Sequence, residues 1–537
     1  MSINLLTALT DNIRIDKDKC TFCGTCVETC ILDNLRMKLA PCRQACPLGV
    51  NSQGYIQLIA RGQEQKALDL IHQTLPFPGI IGRICSQPCE EMCHRNIKTG
   101  SPVAIRALKR YLADTGLSPE PSIHRPGPDT GFKVAIIGTG PAGILAAHDL
   151  RMNGHGVTMF ESEIEPGGML RWAIPEFRLP AAIVREEVAL LEKMGVEIRC
   201  GVTVEKDIPF MEIREDFDAV IIAAGCQLPV TIGVDYDGVE GIFYGLPFLR
   251  GVKSGRITGT GSSTVVIGGG NSAVDAAQTA LRLGADRVTM ISIEKENELP
   301  AFPWTLEEAV KEGVIMEHSW GPVSFRSDSG AVAGIEFQRC VSVYDENGRF
   351  RPCYDSCETK DIEADAVIIA AGQCSGGILS EITGNNAGRE ITVDPLTLQI
   401  GESSIFAAGD AVTGPSSAIN AMAQGRRAAV SVDRLLKGEH LGYGRAYEGP
   451  VELEFEIETE GFPDHERAVI PVRAFSVKGD FMEKEQALDR QSAIKEAERC
   501  YSCGSPFGKF RTCWFCLPCE VECPEEALSV EIPYLLR

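Results

Sequence analysis

At 537 residues and 44% apolar, with a mean hydropathy of -0.02, the chain is long enough for three or four domains and apolar enough to bury their cores. A formal charge of -22 would repel nucleic acid and anionic membrane surfaces, and argues against both as partners. No apolar run reaches the roughly 18 to 20 residues of a membrane span, and MSINLLTALTDNIRIDKDK lacks the basic region and long apolar stretch of a secretory leader, so a cytoplasmic protein with no membrane span is expected.

Twenty-one cysteines in such a chain point to metal or cluster ligation, because the cytosol keeps thiols reduced. The first group stands in IRIDKDKCTFCGTCVETC, a strand-like segment running into CxxCxxCxxxC as in the first half of a two-cluster ferredoxin. In that pattern Cys20, Cys23 and Cys26 serve one cluster and Cys30 is spaced for another, although Ile31 replaces the proline that usually follows. Residues 51–115 then read as helices, with Tyr55, Ile56, Leu58, Ile59, Leu68, Leu70 and Ile71 on one face. Within this region CRQACP supplies Cys42 and Cys46, and GRICSQPCEEMC supplies Cys85, Cys89 and Cys93. The proline- and glycine-rich stretch DTGLSPEPSIHRPGPDTG marks a linker.

Beyond it, KVAIIGTGPAG carries an apolar strand into a GxGxxG turn. Gly138 makes the tight turn, Gly140 lets backbone approach a pyrophosphate, Gly143 permits helix–strand packing, and Pro141 and Ala142 open the helix. The next strand, VTMFE, ends in Glu161, placed to bind ribose hydroxyls. A second turn in TVVIGGGNSAVDAA has Gly268, Gly270, Asn271, Ser272 and Ala273 in the GxGxxG/A pattern. Each unit is followed by DAVIIAAG, at 218–225 and again at 365–372, which suggests two related dinucleotide-binding domains. The chain closes on CWFCLPCEVECP, where Cys513, Cys516, Cys519 and Cys523 form the complementary ferredoxin half. If the termini meet, Cys20, Cys23 and Cys26 with Cys523 bind one cluster, and Cys513, Cys516 and Cys519 with Cys30 bind the other. A rival arrangement completes a cluster locally with Cys500 and Cys503 of CYSCGSP.

GTGPAG, PGGMLRWAIPEFRLP (166–180), GGGNSAVD, ELPAF (298–302) and IFAAGDAVTGPSSAINAMAQGRRAA (405–429), in that order, resemble the glutamate synthase small subunit and the amino-terminal half of dihydropyrimidine dehydrogenase over about residues 40–435. The resemblance implies FAD at the first site, with Glu161 on its ribose, Gly168 and Met169 in the second motif, and Gly409, Asp410, Ser417 and Ala418 in the segment that closes on the flavin. It implies a nicotinamide cofactor at the second site, inserted within the FAD domain. Relatives that use NADPH carry a basic pair shortly before the ELPA-like motif to grip the 2'-phosphate; here Ile293 and Glu294 stand there. A carboxylate repels that phosphate and can accept from free ribose hydroxyls, which favours NADH over NADPH. In the resembling family the helical domain usually carries two [4Fe-4S] clusters, but the CxxC expected before Cys42 is missing. One helical cluster is therefore expected, on Cys46, Cys85 and Cys89 with Cys42 or Cys93, and three clusters in all.

The expected fold is α/β: two Rossmann-like dinucleotide-binding domains for FAD and NAD, preceded by a helical iron–sulfur domain, with a ferredoxin-like α+β domain formed from the two termini. The expected boundaries are 1–38 (ferredoxin-like half), 39–115 (helical [4Fe-4S] domain), 116–131 (linker), 132–255 with 375–440 (FAD), 256–374 (NAD), 441–495 (connecting segment) and 496–537 (second ferredoxin-like half). The expected function is oxidation of NADH at FAD, with single electrons relayed through [4Fe-4S] clusters to ferredoxin or another redox subunit of a larger complex. A glutamate synthase small subunit feeding an amidotransferase, and a non-enzymatic redox sensor or assembly subunit, are the alternatives. Hydride transfer needs no general base, so no catalytic acid or base is expected.

Overall fold

The computed structural model describes residues 13–16, 19–21, 23–31, 35–236, 238–376, 391–445, 459–474, 478–508 and 516–531. The chain divides into two compact units: Pro126–Arg445 with Val472–Gln486, and Met1–Arg125 with Ala446–Pro471 and Ala487–Arg537. Among the described residues no helix is long and apolar enough to cross a membrane.

The first of these units contains two five-stranded parallel sheets built on one plan. One has the order Ile405–Ala407, Ala219–Ile222, Lys133–Ile137, Gly156–Glu161, Glu197–Cys200. The other runs Ile315–His318, Arg287–Ser292, Ser263–Ile267, Ala366–Ile369, Ile242–Tyr244. Parallel strands are covered on both faces, so the inner ones carry unbroken apolar runs: VAII within KVAII, VVI within STVVI and the two AVII segments. In each sheet the strand preceding a glycine turn is central, and the strand order reverses beside it. Ligands bind at such switch points, outside the carboxyl ends of the strands.

The second sheet begins earlier than the expected boundary at 256. Ile242–Tyr244 pairs in parallel with Val367–Ile369, and the helix Gly245–Lys253 packs on Asn271–Arg282. The sequence pattern showed no strand of this domain before Ser263–Ile267; strand pairing recruits the upstream IFY. An antiparallel sheet of Trp320–Asp328, Ala331–Tyr344 and Phe350–Glu363 is an unforeseen insert. Its first hairpin turns through Ser329 and Gly330, both at positive φ (53° and 89°), as a two-residue loop matched to strand twist requires.

The helices Pro141–Met152 and Ala418–Leu436 pack closely. A Cβ on Gly425 would stand 2.1 Å from the Ala142 carbonyl oxygen, so this crossing admits only glycine. The loop following Gly168 links the two sheets' bodies: Arg178 pairs with Asp275 at 2.5 Å, and the Arg282 guanidinium lies 3.8 Å from the centroid of the buried Phe177 ring.

The other unit is helical at its centre, with Ser52–Ala60, Glu64–His72, Pro78–Ile84 and Ile105–Ala113 packed together. Asn51 caps the first of them by accepting from the Gly54 N–H at 3.0 Å. Tyr55, Ile56, Leu58, Ile59, Leu68 and Ile71 are buried as their spacing predicts, while Leu70 is half-buried. The expected connecting segment 441–495 is shared out: Val472–Gln486 joins the nucleotide-binding unit, and the helix Arg490–Ala497 packs against Ser52–Ala60. Two short sheets join chain-distant ends. Ile13–Ile15 pairs antiparallel with Leu528–Val530, and Leu35–Lys38 with Ser505–Gly508.

Replacing Gly425 with valine is expected to push the two long helices apart and cost about 1–3 kcal/mol. A calorimetric melt checks it: the transition should fall by several degrees, and an unchanged midpoint would refute the close crossing.

Candidate functional site

At the first glycine turn, Gly138 has φ +104° and a Cβ there would meet the Ala223 carbonyl oxygen at 2.4 Å. Gly143 is as crowded, 2.1 Å from the Gly138 oxygen. Gly140 differs, since its Cβ would meet nothing within 4 Å. Gly138 and Gly143 are thus required by the fold, and Gly140 leaves open space at a helix N-terminus, where a phosphate can approach the backbone.

Glu161 ends its strand and is buried. Its carboxylate accepts from the Thr139 hydroxyl, from the Thr139 N–H at 3.2 Å and from the Glu163 N–H at 3.0 Å, so its position is fixed beside the turn. Gly168 closes over the same turn: its Cβ would lie 2.8 Å from the Gly140 Cα. Met169 opens the short helix that follows. Gly409, at φ +75°, donates its N–H to Gln424 Oε1 at 2.8 Å, and a Cβ on it would lie 2.9 Å from Ala142 Cβ. Asp410 accepts from the Ser416 hydroxyl at 2.7 Å, while burial raises its carboxyl above the usual range. Ser417 caps the helix that Ala418 begins. The expected FAD-binding residues therefore gather around one cradle, and its open wall at Gly140 fits a dinucleotide pyrophosphate.

The second turn repeats the geometry. Gly268 has φ +144° and its Cβ would meet the Ala370 oxygen at 2.3 Å, whereas Gly270 again faces open space. Ala273 is buried in the third position and Ser272 half-buried beside it. Asn271 holds the ELPAF loop, accepting from the Phe302 N–H and the Thr305 hydroxyl, each at 3.2 Å. Glu294 leans over the turn: one of its oxygens is 2.8 Å from where a Gly269 Cβ would stand. Partial burial, with Glu298 nearby, raises its carboxyl. The adjacent cation, Lys295, is exposed and pairs with Glu298 at 3.5 Å.

At the joined chain ends Cys20, Cys23, Cys26 and Cys523 line one pocket, walled by Ile15, Ala527 and Leu528. Burial pushes Cys26 up to about 12, reinforced by the thiols of Cys20, Cys23, Cys523 and Cys519. Thiols so crowded gain by binding cationic iron, which displaces their protons. Cys30 and Cys519 pack in the adjoining core, Cys516 is exposed, and Cys513 lies outside the described residues. Gly24 and Leu517, both at positive φ, precede matching one-turn helices with Cys26 and Cys519 in second place. Among the described residues no three His, Cys, Asp or Glu side chains close on a single ion.

The five helical-unit thiols do not converge on one point. Cys46, Cys85 and Cys89 surround the buried Lys109, whose ammonium they and Glu90 stabilise against the opposing effect of burial. Cys42 and Cys93 instead stand with Cys500 and Cys503: burial raises Cys42, and Cys500, Cys93, Cys89 and Cys503 raise it further. The expectation that Cys42 or Cys93 completes the Cys46 set thus meets a different grouping, because Cys500 and Cys503 reach Cys42 and Cys93 from the far end of the chain. EAERCYSCG, a helix running into CxxC, was the available signal; nothing in the sequence marked Lys109.

Two dinucleotide cradles on parallel sheets, in a chain that also carries a unit of clustered thiols, define an NAD(P)H-dependent FAD/iron–sulfur oxidoreductase. The chain belongs to the pyridine nucleotide-disulphide oxidoreductase family, whose model matches residues 132–425. Residues 34–120 match dihydropyrimidine dehydrogenase domain II, 4Fe-4S cluster, and residues 13–32 a 4Fe-4S binding domain. The chain is 34% identical to the NADP(+)-dependent formate dehydrogenase subunit beta of Moorella thermoacetica, over 86% of this chain and 70% of that one. It is 31% identical to the NADPH-Fe(3+) oxidoreductase subunit beta of Geobacter sulfurreducens, over 86% and 75%. It is 32% identical to the glutamate synthase [NADPH] small chain of Mycobacterium tuberculosis, over 74% and 86%. FprA from Mycobacterium tuberculosis shares the fold, with a TM-score of 0.50 at 18% identity over 58% of this chain and 85% of that one.

Because a Cβ at Gly140 meets only open space, Gly140→Leu should fold yet block the approach of a pyrophosphate. The expected product has intact circular dichroism and little FAD; full flavin occupancy would contradict the cradle.

Proposed function

We infer that the chain oxidises NADH at FAD and passes electrons singly through [4Fe-4S] clusters to ferredoxin or a partner redox subunit, in either direction, in the cytoplasm. The observation that carries this reading is the thiol-lined pocket formed by both chain ends in a protein that also has two dinucleotide cradles. Electrons entering at a nicotinamide then have an exit within the same chain. A bound flavin would accept the two electrons of a hydride together and release them one at a time to clusters that carry them singly. The chain's own residues bind and orient. Gly140 and Gly270 admit phosphates to the backbone, and Glu161 and Glu294 accept from ribose hydroxyls. Hydride chemistry of this kind would require no side chain to act as general acid or base.

The coenzyme reading departs from the relatives named for NADP(+) or NADPH. It rests on Glu294, whose carboxylate stands over the turn while Lys295 is engaged elsewhere. A 2'-phosphate there would face a like charge. The expected result of steady-state kinetics is a higher kcat/KM for NADH than for NADPH. Glu294→Arg should move the ratio toward NADPH about tenfold or more, as a charge-assisted bond of about 1.5–3 kcal/mol allows. A native preference for NADPH would refute the role given to Glu294.

The terminal sets are proposed to be Cys20, Cys23, Cys26 and Cys523 for one cluster, and Cys513, Cys516, Cys519 and Cys30 for the other. Removing residues 1–32 under anaerobic conditions should abolish both clusters by iron analysis and leave FAD and NADH-driven flavin bleaching intact. Survival of either cluster would show that the ends do not share ligands.

A further inference from the structure

Cys500 and Cys503 follow the helix Arg490–Ala497 and take no part in the reading above. Their segment is pinned from three directions. Gln53 Nε2 donates to the Ser502 hydroxyl at 3.2 Å across 449 residues of sequence, and one helical turn further on the Gln57 side chain bonds the Cys500 sulfur. Arg95, two residues past Cys93, donates to the Arg499 carbonyl at 2.8 Å and holds its guanidinium 4.8 Å from the centroid of the Tyr501 ring. Ser505 pairs with Lys38, just before Cys42. Cys500 and Cys503 are thereby held between Cys42 and Cys93.

The four thiols lie near one another, and Cys42 also lies near Cys89 of the other group. Cys42 interacts with Cys500, Cys93 and Cys503; Cys503 with Cys500 and Cys93; and Cys500 with Cys93, so that each of the pairs is in electrostatic range. Cys46, Cys85 and Cys89 group separately around Lys109. A single cluster cannot serve both groups, since one [4Fe-4S] core takes four ligands.

We propose that Cys42, Cys93, Cys500 and Cys503 together ligate a further [4Fe-4S] cluster, held jointly by the helical region and the carboxyl-terminal segment. The chain would then carry four clusters, two of them in the helical unit, the second on Cys46, Cys85 and Cys89 with a fourth ligand from outside these cysteines. On loading a [4Fe-4S] core, each thiol gives its proton to solvent and forms one Fe–S bond, with no change of oxidation state. The proposal rests on the iron–sulfur part of the proposed function and is independent of its coenzyme and acceptor.

The full-length chain purified anaerobically should hold about sixteen irons, and Cys500→Ser/Cys503→Ser about twelve, with FAD content unchanged. Cys42→Ser should abolish the same EPR signal of the reduced protein, and Cys516→Ser a different one. Three results would overturn the proposal: full iron in the double variant, zinc in place of the missing iron, or loss of the signal that Cys516→Ser loses and Cys42→Ser keeps. If the double variant loses FAD and unfolds, Cys42→Ser and Cys46→Ser decide. Loss of two distinct signals supports the proposal, and loss of one shared signal overturns it. Failure of the terminal assignment shows separately, as more than about eight irons retained when residues 1–32 are removed.

Discussion

Glu496 and Arg499 are almost wholly withdrawn from solvent, 1% and 2% exposed, and pair at 2.7 Å. The architecture of the iron–sulfur unit depends on that contact. Arg499 also donates to the carbonyls of Ser101, Pro102 and His465, and Glu496 accepts from the backbone N–H groups of Ala104 and Ala468. Two chain-distant segments are thus satisfied by one ion pair, whose rigid guanidinium fork suits several carbonyls at once. Removing either partner would strand a buried charge at a cost of about 3–5 kcal/mol. With it would go the seat of the CYSC segment that follows directly.

The nucleotide-binding unit meets a different constraint, and meets it twice. A strand must turn sharply into a helix while a neighbouring strand's carbonyl presses on the turn. At Gly138 that carbonyl belongs to Ala223, and at Gly268 to Ala370, the residue at the same place in the repeated DAVIIAAG. Crowding fixes those glycines, and its relief at Gly140 and Gly270 creates the cradles. Where the copies differ, the packing explains it: Gly143 has no room for a methyl, whereas Ala273 Cβ keeps 3.5 Å from the position of a Gly268 Cβ.

Thiol chemistry ties the two ends of the chain together. Cysteines that crowd one another in an apolar surrounding are pushed up in pKa by burial and by each other, as at Cys26 and Cys42. Such groups are poor as bare thiols and favourable as ligands to iron. The strand pairs Ile13–Ile15 with Leu528–Val530 and Leu35–Lys38 with Ser505–Gly508 carry the assembly from both termini.

Local pattern alone determined much of this protein. The glycine turns, the buried strands, the acid at Glu161 and the complementary CxxCxxC runs are each written within a dozen residues, where sterics and ligand spacing act over short range. That Cys523 would meet Cys20 followed from the half-motif being incomplete. Tertiary structure alone decided the rest. It moved Ile242–Tyr244 into the second sheet through pairing that no local propensity encodes, and divided the helical thiols into two groups. It also put Lys109 against three sulfurs, and delivered Cys500 and Cys503 to Cys42 and Cys93 through hydrogen bonds spanning most of the chain. Long-range contacts of this kind are set by the sum of packing and polar satisfaction over whole units, and a sequence window carries no trace of that sum.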